Sequence, residues 1–135
     1  MVLVDTSVLI DYIKDIVNEK TVLLDTILER KVPFGISIYT FQEVLQGAKS
    51  EKEFLTLKTY LSTQTLYSLP QNTKTYEEAA RMYFDLRRRG ITPRSTIDIL
   101  ITLTAVKYNL LLLHNDKDFD MIADKITNLR IADSI

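Results

Sequence analysis

Residues 2–11 read VLVDTSVLID, and they set a short apolar run directly against an aspartate and two hydroxyl residues. Val2 to Val4 has the continuous apolar pattern of a strand buried on both faces of a parallel sheet. The residues from Thr6 onward show helical spacing. Asp5 therefore falls at the carboxyl end of a buried strand, which is where open parallel sheets bind their ligands. This stretch predicts an α/β fold and makes Asp5 a candidate site residue.

The rest of the chain continues the alternation of strands and helices. Apolar runs predict two more strands, at residues 110–113 and, more weakly, at 32–36. Helical periodicity predicts helices over residues 6–14, 20–30, 37–47, 54–61, 72–89 and 95–108. This order is typical of a parallel sheet with right-handed crossovers, so we expect residues 1–135 to form one α/β domain.

Two of the predicted helices have distinctive patterns. Helix 72–89 begins at Asn72 or Thr73 and stops at Gly90. We expect its apolar stripe to face the core; the stripe consists of Tyr76, Ala79, Ala80, Tyr83 and Leu86. Helix 95–108 is apolar around nearly its whole circumference, which predicts a buried helix.

The composition excludes several kinds of chemistry. The chain has no cysteine, so disulfides, thiolate zinc sites and cysteine nucleophiles are ruled out. Its single histidine, His114, rules out any site that needs two imidazoles from one chain. The formal net charge is -1, so binding to nucleic acid must depend on a local patch. No apolar stretch approaches the roughly 20 residues of a membrane span, and we expect a cytoplasmic protein.

The acidic residues each have an ordinary explanation when taken singly. Asp5 suits a helix N-cap, and Asp98 suits the first turn of the helix that starts near Ser95. Glu43 fits an exposed helix position. Acids at 116, 118 and 120 in the sequence HNDKDFD fit a solvated turn or a helix cap.

Taken together, these acids point to a divalent cation. Asp5, Asp98 and Asp116 occur where an α/β fold brings element ends to one edge of its sheet, and Glu43 lies about one turn into a neighbouring helix. Crowded carboxylates raise one another's pKa values unless a cation neutralises them. Oxygen-only ligands favour Mg²⁺ or Mn²⁺, whose bound waters are suited to phosphodiester hydrolysis.

Three segments together resemble the motif set of PIN-domain nucleases, particularly VapC-type toxins. They are VDTSVLIDYI, SIYTFQEVLQG and TIDILITLTAVKYNLLLLHNDKDF, in that order along nearly the whole chain. The resemblance implies a three-layer α/β/α sandwich with a central parallel sheet of four or five strands. It also implies a metal-dependent endoribonuclease whose pocket holds Mg²⁺ or Mn²⁺.

The same resemblance assigns roles to individual residues and implies partners. The catalytic and metal-binding acids correspond to Asp5, Glu43, Asp98 and Asp116, with Asp118 as a further metal ligand; Thr6 and Ser7 are supporting hydroxyls. The implied partners are an RNA substrate, a small antitoxin of the VapB type and a second copy of the chain.

Basic residues provide a weaker indication of RNA binding. Arg88 and Arg89 end the helix at 72–89, and Arg94 precedes the Asp98 helix, so these arginines are candidates for phosphate contacts. Complementing the helix dipole is the competing interpretation.

Other functional classes fit less well. A phosphoaspartate enzyme of the haloacid-dehalogenase type needs an aspartate where this chain has Ser7, and a nucleotide-binding module needs a glycine-rich turn that the chain lacks. The serious rival is a catalytically silent PIN-like domain that only binds RNA or protein.

Overall fold

The computed structural model describes residues 1–134, which form a five-stranded parallel sheet with helices on both faces. The strands are β1 (Val2–Val4), β2 (Phe34–Ser37), β3 (Leu66–Tyr67), β4 (Leu111–Leu113) and β5 (Arg130–Ile131). The helices are α1 (Thr6–Ile13), α2 (Glu19–Glu29), α3 (Ile38–Gln46), α4 (Glu51–Ser62), α5 (Thr73–Arg88), α6 (Thr96–Lys107) and α7 (Lys117–Lys125). The predicted α/β/α architecture is confirmed, with five strands.

The strand order, β3-β2-β1-β4-β5, determines where a site forms. The chain moves outward from β1 through β2 to β3, then returns to lay β4 on the other side of β1. Leu3 thus pairs with Gly35 on one side and Leu112 on the other. Such a reversal of direction opens a crevice beyond the carboxyl ends of the two central strands. Asp5 follows β1 and Asp116 follows β4 closely, so both acids border this crevice.

Side chains of β1 alternate between two apolar cores. Leu3 belongs to a core built with α5, α6 and α7, which includes Leu86, Ile99 and Phe119. Val2 and Val4 point to the opposite face, into a core built with α1 to α4. The period-2 alternation of a strand accounts for this division. The sheet is therefore covered on both sides, which explains the unbroken apolar sequence of its central strands.

Helix α6 is buried, as its sequence predicts. Every residue from 99 to 105 is buried, including Thr102 and Thr104. The two hydroxyls donate within the helix, Thr102 to the Asp98 carbonyl at 2.8 Å and Thr104 to the Leu100 carbonyl at 2.7 Å. The hydroxyl groups are thereby satisfied without solvent.

The predicted apolar stripe of α5 is only partly correct. Ala79 and Leu86 are buried, but Ala80 is exposed. Tyr76 is 43% exposed, and its hydroxyl donates to Gln71 Oε1 at 2.6 Å. Thr75 is buried in its place. At the surface the Tyr76 hydroxyl has a hydrogen-bond partner, which an apolar core would not provide.

Within residues 1–134, no helix has the length and apolar character needed to cross a membrane.

Candidate active site

Asp5 is held at the carboxyl end of β1 by the residues of the next helix. It is the N-cap of α1, and its Oδ2 accepts hydrogen bonds from the Ser7 amide at 3.1 Å and the Ser7 hydroxyl at 2.7 Å. Asp5 is only 4% exposed. Burial raises the pKa of this carboxyl, while the hydrogen bonds from Ser7 oppose the rise. The N-cap role is real, but it leaves a buried carboxylate at the sheet edge.

Ser7 connects the ends of the two central strands. Its Oγ donates to Asp5 and accepts from the Asn115 amide at 2.9 Å. One hydroxyl thus couples the loop after β1 to the loop after β4. Ser7 fixes the separation of the two loops from which acids project.

Glu43 reaches the site from α3 and is oriented by Thr6. The Thr6 hydroxyl donates to Glu43 Oε1 at 2.8 Å and lies 3.0 Å from the hydroxyl of the fully buried Thr40. This chain of polar groups crosses from α1 to α3. It holds the glutamate carboxylate in one orientation, because both hydroxyls are themselves fixed by packed helices.

Asp98 has the most perturbed electrostatics of the site. It lies in the first turn of α6, whose N-cap is Ser95. Burial, followed by the charges of neighbouring acids, raises the pKa of Asp98 to about 7. The neighbours responsible are Asp5, Asp116, Asp118 and Glu43. The acids that the sequence singled out are therefore close enough to interact with Asp98.

Three of these carboxylates form the tightest group. Asp98, Asp116 and Asp118 each offer an oxygen atom that lies within 4.8 Å of the other two. Asp116 is the N-cap of α7, and its Oδ1 accepts from the Asp118 amide at 3.0 Å. The resemblance implies Asp5, Glu43, Asp98 and Asp116 as the main metal-binding acids and Asp118 as a further ligand, whereas the tightest group in residues 1–134 combines Asp98 with the pair at the start of α7.

This donor set fits a hard divalent cation. Oxygen ligands without histidine or cysteine suit Mg²⁺ or Mn²⁺. Burial and, after it, the like charges of the neighbouring acids raise the pKa of Asp98, and a divalent ion bound among these carboxylates would relieve their repulsion. The residues present are therefore chemically compatible with the ion that the sequence predicts.

His114 supports the site from behind. It is 2% exposed and its Nδ1 accepts from the Asp116 amide at 3.1 Å. Its Nε2 lies 3.1 Å from Asp120 Oδ1. Burial lowers the pKa of His114, which favours the neutral ring. Sequence analysis did not reveal that this ring accepts from the amide of the neighbouring aspartate.

The candidate RNA-binding arginines separate in space. Arg94 donates to Asp118 Oδ2 at 2.9 Å and to Asp116 Oδ1 at 3.3 Å, so it lies at the acidic group. Arg89 instead donates to the Lys125 carbonyl at 2.9 Å, and the Arg88 guanidinium lies 5.6 Å from the centre of the Phe84 ring. Only Arg94 of these three arginines is paired with the site acids.

Comparison with known proteins identifies the family. The PIN domain family model matches residues 2–125. The chain is a PIN-domain protein. This PIN-domain chain is 30% identical to ribonuclease VapC11 of Mycobacterium tuberculosis over 133 residues, covering 98% of each chain, and it belongs with the VapC proteins.

Solved structures agree with this assignment. A toxin-antitoxin complex from Klebsiella pneumoniae contains a chain that is 26% identical, with a TM-score of 0.67, covering 97% of this PIN-domain chain and all of the other. A DNA-bound VapBC complex from Salmonella typhimurium contains a chain with the same fold, at a TM-score of 0.74 and 22% identity, covering 98% of each.

Proposed function

We propose that this PIN-domain protein is a divalent-metal-dependent endoribonuclease, the toxin component of a VapBC-type pair, and that residues 1–135 form one nuclease domain acting in the cytoplasm. The observation that carries the proposal is the group formed by Asp98, Asp116 and Asp118, with a pKa of Asp98 near 7. The similarity to ribonuclease VapC11 supports RNA as the substrate.

The acids have distinct tasks in this proposal. Asp98, Asp116 and Asp118 would hold Mg²⁺ or Mn²⁺, and Asp5 and Glu43 would complete the pocket directly or through water. When bound, the ion polarises a phosphoryl oxygen and lowers the pKa of an attacking water.

The supporting hydroxyls act through orientation. Ser7 holds Asp5 Oδ2, and Thr6 holds Glu43 Oε1. The carboxylates are thus set before substrate arrives, so little reorganisation accompanies the reaction.

The proposed protein partners are a VapB-type antitoxin and a second copy of the chain. The solved relatives described as VapBC or toxin-antitoxin complexes support the first. Apolar side chains also remain exposed on two helices: Val22 and Leu28 on α2, and Phe54 and Leu55 on α4. Such a set is suited to binding a partner. Co-purification of a co-expressed antitoxin, together with the mass of the assembly by light scattering, tests both partners.

Cleavage of RNA by the purified protein tests the activity. We expect cutting with Mg²⁺ or Mn²⁺, none with EDTA, and a loss of at least about 100-fold in Asp98→Asn with the circular dichroism spectrum unchanged. Arg81→Met, which alters an exposed pair on α5, is the matched control and retains activity. Absence of metal-dependent cleavage together with retained RNA binding would instead identify a silent RNA-binding module.

A further inference from the structure

Two of the site carboxylates are already paired with a cation from the chain itself. Arg94 Nε lies 2.9 Å from Asp118 Oδ2, and Arg94 Nη2 lies 3.3 Å from Asp116 Oδ1. Both acids belong to the group that would hold a divalent ion. The guanidinium is therefore paired with two of the three carboxylates that the ion would use.

The arginine and the ion would compete for these carboxylates. A guanidinium and a divalent cation repel each other, and Asp116 Oδ1 already accepts a second hydrogen bond from the Asp118 amide. The Arg94 side chain is 76% exposed, whereas those of Asp116 and Asp118 are 28% and 18% exposed. The arginine thus approaches from solvent, and an exposed ion pair is weak enough to be broken readily.

We propose that Arg94 is an exchangeable counter-ion that neutralises Asp116 and Asp118 until a divalent ion displaces it, and then binds the RNA phosphate beside that ion. The proposal rests on the proposed function. A guanidinium fork matches two oxygens of a phosphate as well as it matches carboxylates. Arg94 lies four residues before Asp98 and next to the N-cap Ser95, so the displaced side chain stays within reach of the site.

The neighbouring arginines are committed elsewhere. Arg89 is bonded to the Lys125 carbonyl, and the guanidiniums of Arg87 and Arg88 lie against aromatic rings of their own helix, Tyr83 and Phe84 respectively. Arg94 is the member of this basic segment that contacts the acids. The alternative is that Arg94 only anchors the loop before α6. In that case, removing Arg94 would loosen the acids and weaken metal binding.

Titration of the RNA-free protein with Mn²⁺, followed by electron paramagnetic resonance, separates these two roles. We expect Arg94→Met to bind Mn²⁺ roughly three- to tenfold more tightly than the wild type, because a competing positive charge is gone. Arg94→Lys keeps the charge without the fork and should fall between the two. Arg81→Met removes an arginine paired with Asp85 on the exposed face of α5 and should leave Mn²⁺ affinity unchanged.

Kinetics at saturating Mn²⁺ test the second half of the proposal. We expect Arg94→Met to raise the KM for RNA at least about threefold, whereas Arg81→Met leaves it at the wild-type value. Equal or weaker Mn²⁺ affinity in Arg94→Met, while the wild type binds Mn²⁺ and Asp98→Asn does not, would overturn the role of Arg94 and leave the proposed function standing. A wild type that does not bind Mn²⁺ would remove both.

Discussion

Asp98 has opposite effects on the proposed metal site and on the stability of the folded state, because its negative charge would bind a cation but is unfavourable where it is buried among other acids. Its pKa is raised from 3.8 to about 7, so the unfolded chain releases this proton at lower pH than the folded chain does. Between those values the folded state binds the extra proton, and its stability falls as pH rises. The carboxylate thus makes the folded protein less stable at neutral and alkaline pH in the absence of metal.

Asp98→Asn should therefore stabilise the protein in EDTA. We expect a gain of about 1 to 2 kcal/mol at pH 8, after allowing for solvent screening at a partly exposed group, and almost no gain near pH 4. Urea denaturation at several pH values measures the difference. A gain that is the same at pH 4 and pH 8 would contradict the electrostatic origin.

Thr6 is the residue that orients Glu43. Thr6→Val removes the hydroxyl that donates to Glu43 Oε1 while keeping the shape of the side chain. We expect RNA cleavage to fall about tenfold, and Thr6→Ser to restore most of it, because serine retains the donor. Cleavage rates at saturating metal provide the comparison, and equal rates in Thr6→Val and wild type would show that Glu43 needs no such donor.

At the scale of residues, the sequence allowed the proximity of the acids to be predicted, but not their individual contacts. Asp5, Asp98 and Asp116 stand out because each occurs where an apolar element starts or ends, and the structure brings all three near one another. The pairing of Arg94 with Asp118 spans 24 positions, and no periodicity encodes such a contact. The metal-ligand roles themselves stay predictions until a bound ion is observed.

At the scale of elements, the strands differed most in how well they could be predicted. The central β1 and β4 are apolar throughout and were evident, whereas β3 and β5 have two residues each and carry too little pattern to detect. Strand β2 gave a weak signal because it contains Gly35, a residue that disfavours strands. The structure supplies the reason for that glycine.

Gly35 allows β3 to pack closely against β2. A Cβ at this position would lie 2.5 Å from Tyr67 Cε2 and 2.6 Å from the Thr65 carbonyl oxygen. We expect Gly35→Ala to destabilise the protein by about 1 to 3 kcal/mol, because the backbone of Thr65 must move as well as the ring. Urea denaturation measures this, with Gly47→Ala as the control, since a Cβ there meets nothing closer than 3.4 Å. An unchanged midpoint for Gly35→Ala would show that β3 adapts freely.

The boundaries of five helices were predicted to within one residue because they carry side-chain signals, whereas α4 begins three residues earlier than predicted. Asn72, Ser95 and Asp5 each accept from an amide in the first turn of the helix they precede, which is the reason that such residues mark helix starts. Gly90 adopts a φ of 85°, in the left-handed region that a glycine enters without strain. The first turn of α7 was predicted only as a turn or cap, since its acids match both.

At the scale of the whole molecule, metal binding should couple to stability. A divalent ion that binds only the folded state raises the free energy of unfolding, by about 2.7 kcal/mol at 100 times Kd. We expect Mg²⁺ to raise the Tm of the wild type and to leave that of the double variant Asp98→Asn, Asp116→Asn unchanged. The rise should be larger at pH 8 than at pH 6, because Asp98 must lose its proton to bind. Thermal denaturation with Mg²⁺ and with EDTA provides the test; an equal rise in both proteins would place the ion elsewhere.

The overall architecture followed from the alternation of strands and helices, but the strand order did not. That order depends on the return of the chain from β3 to a position beside β1, where Leu112 pairs with Leu3. Several strand orders are compatible with the same sequence of strands and helices, so the local pattern does not determine where β4 is placed. It nevertheless decides the function, since it places the loops after β1 and β4 side by side.

The two outermost strands, β3 and β5, are the shortest of the sheet. The unpaired backbone amides of an exposed edge strand can pair with a strand of another polypeptide and so start aggregation. An edge strand of two residues has too few of these amides to support such pairing. Concentrated solutions of the folded protein should accordingly resist growth into fibrils, and assembly should proceed through side-chain surfaces of the helices.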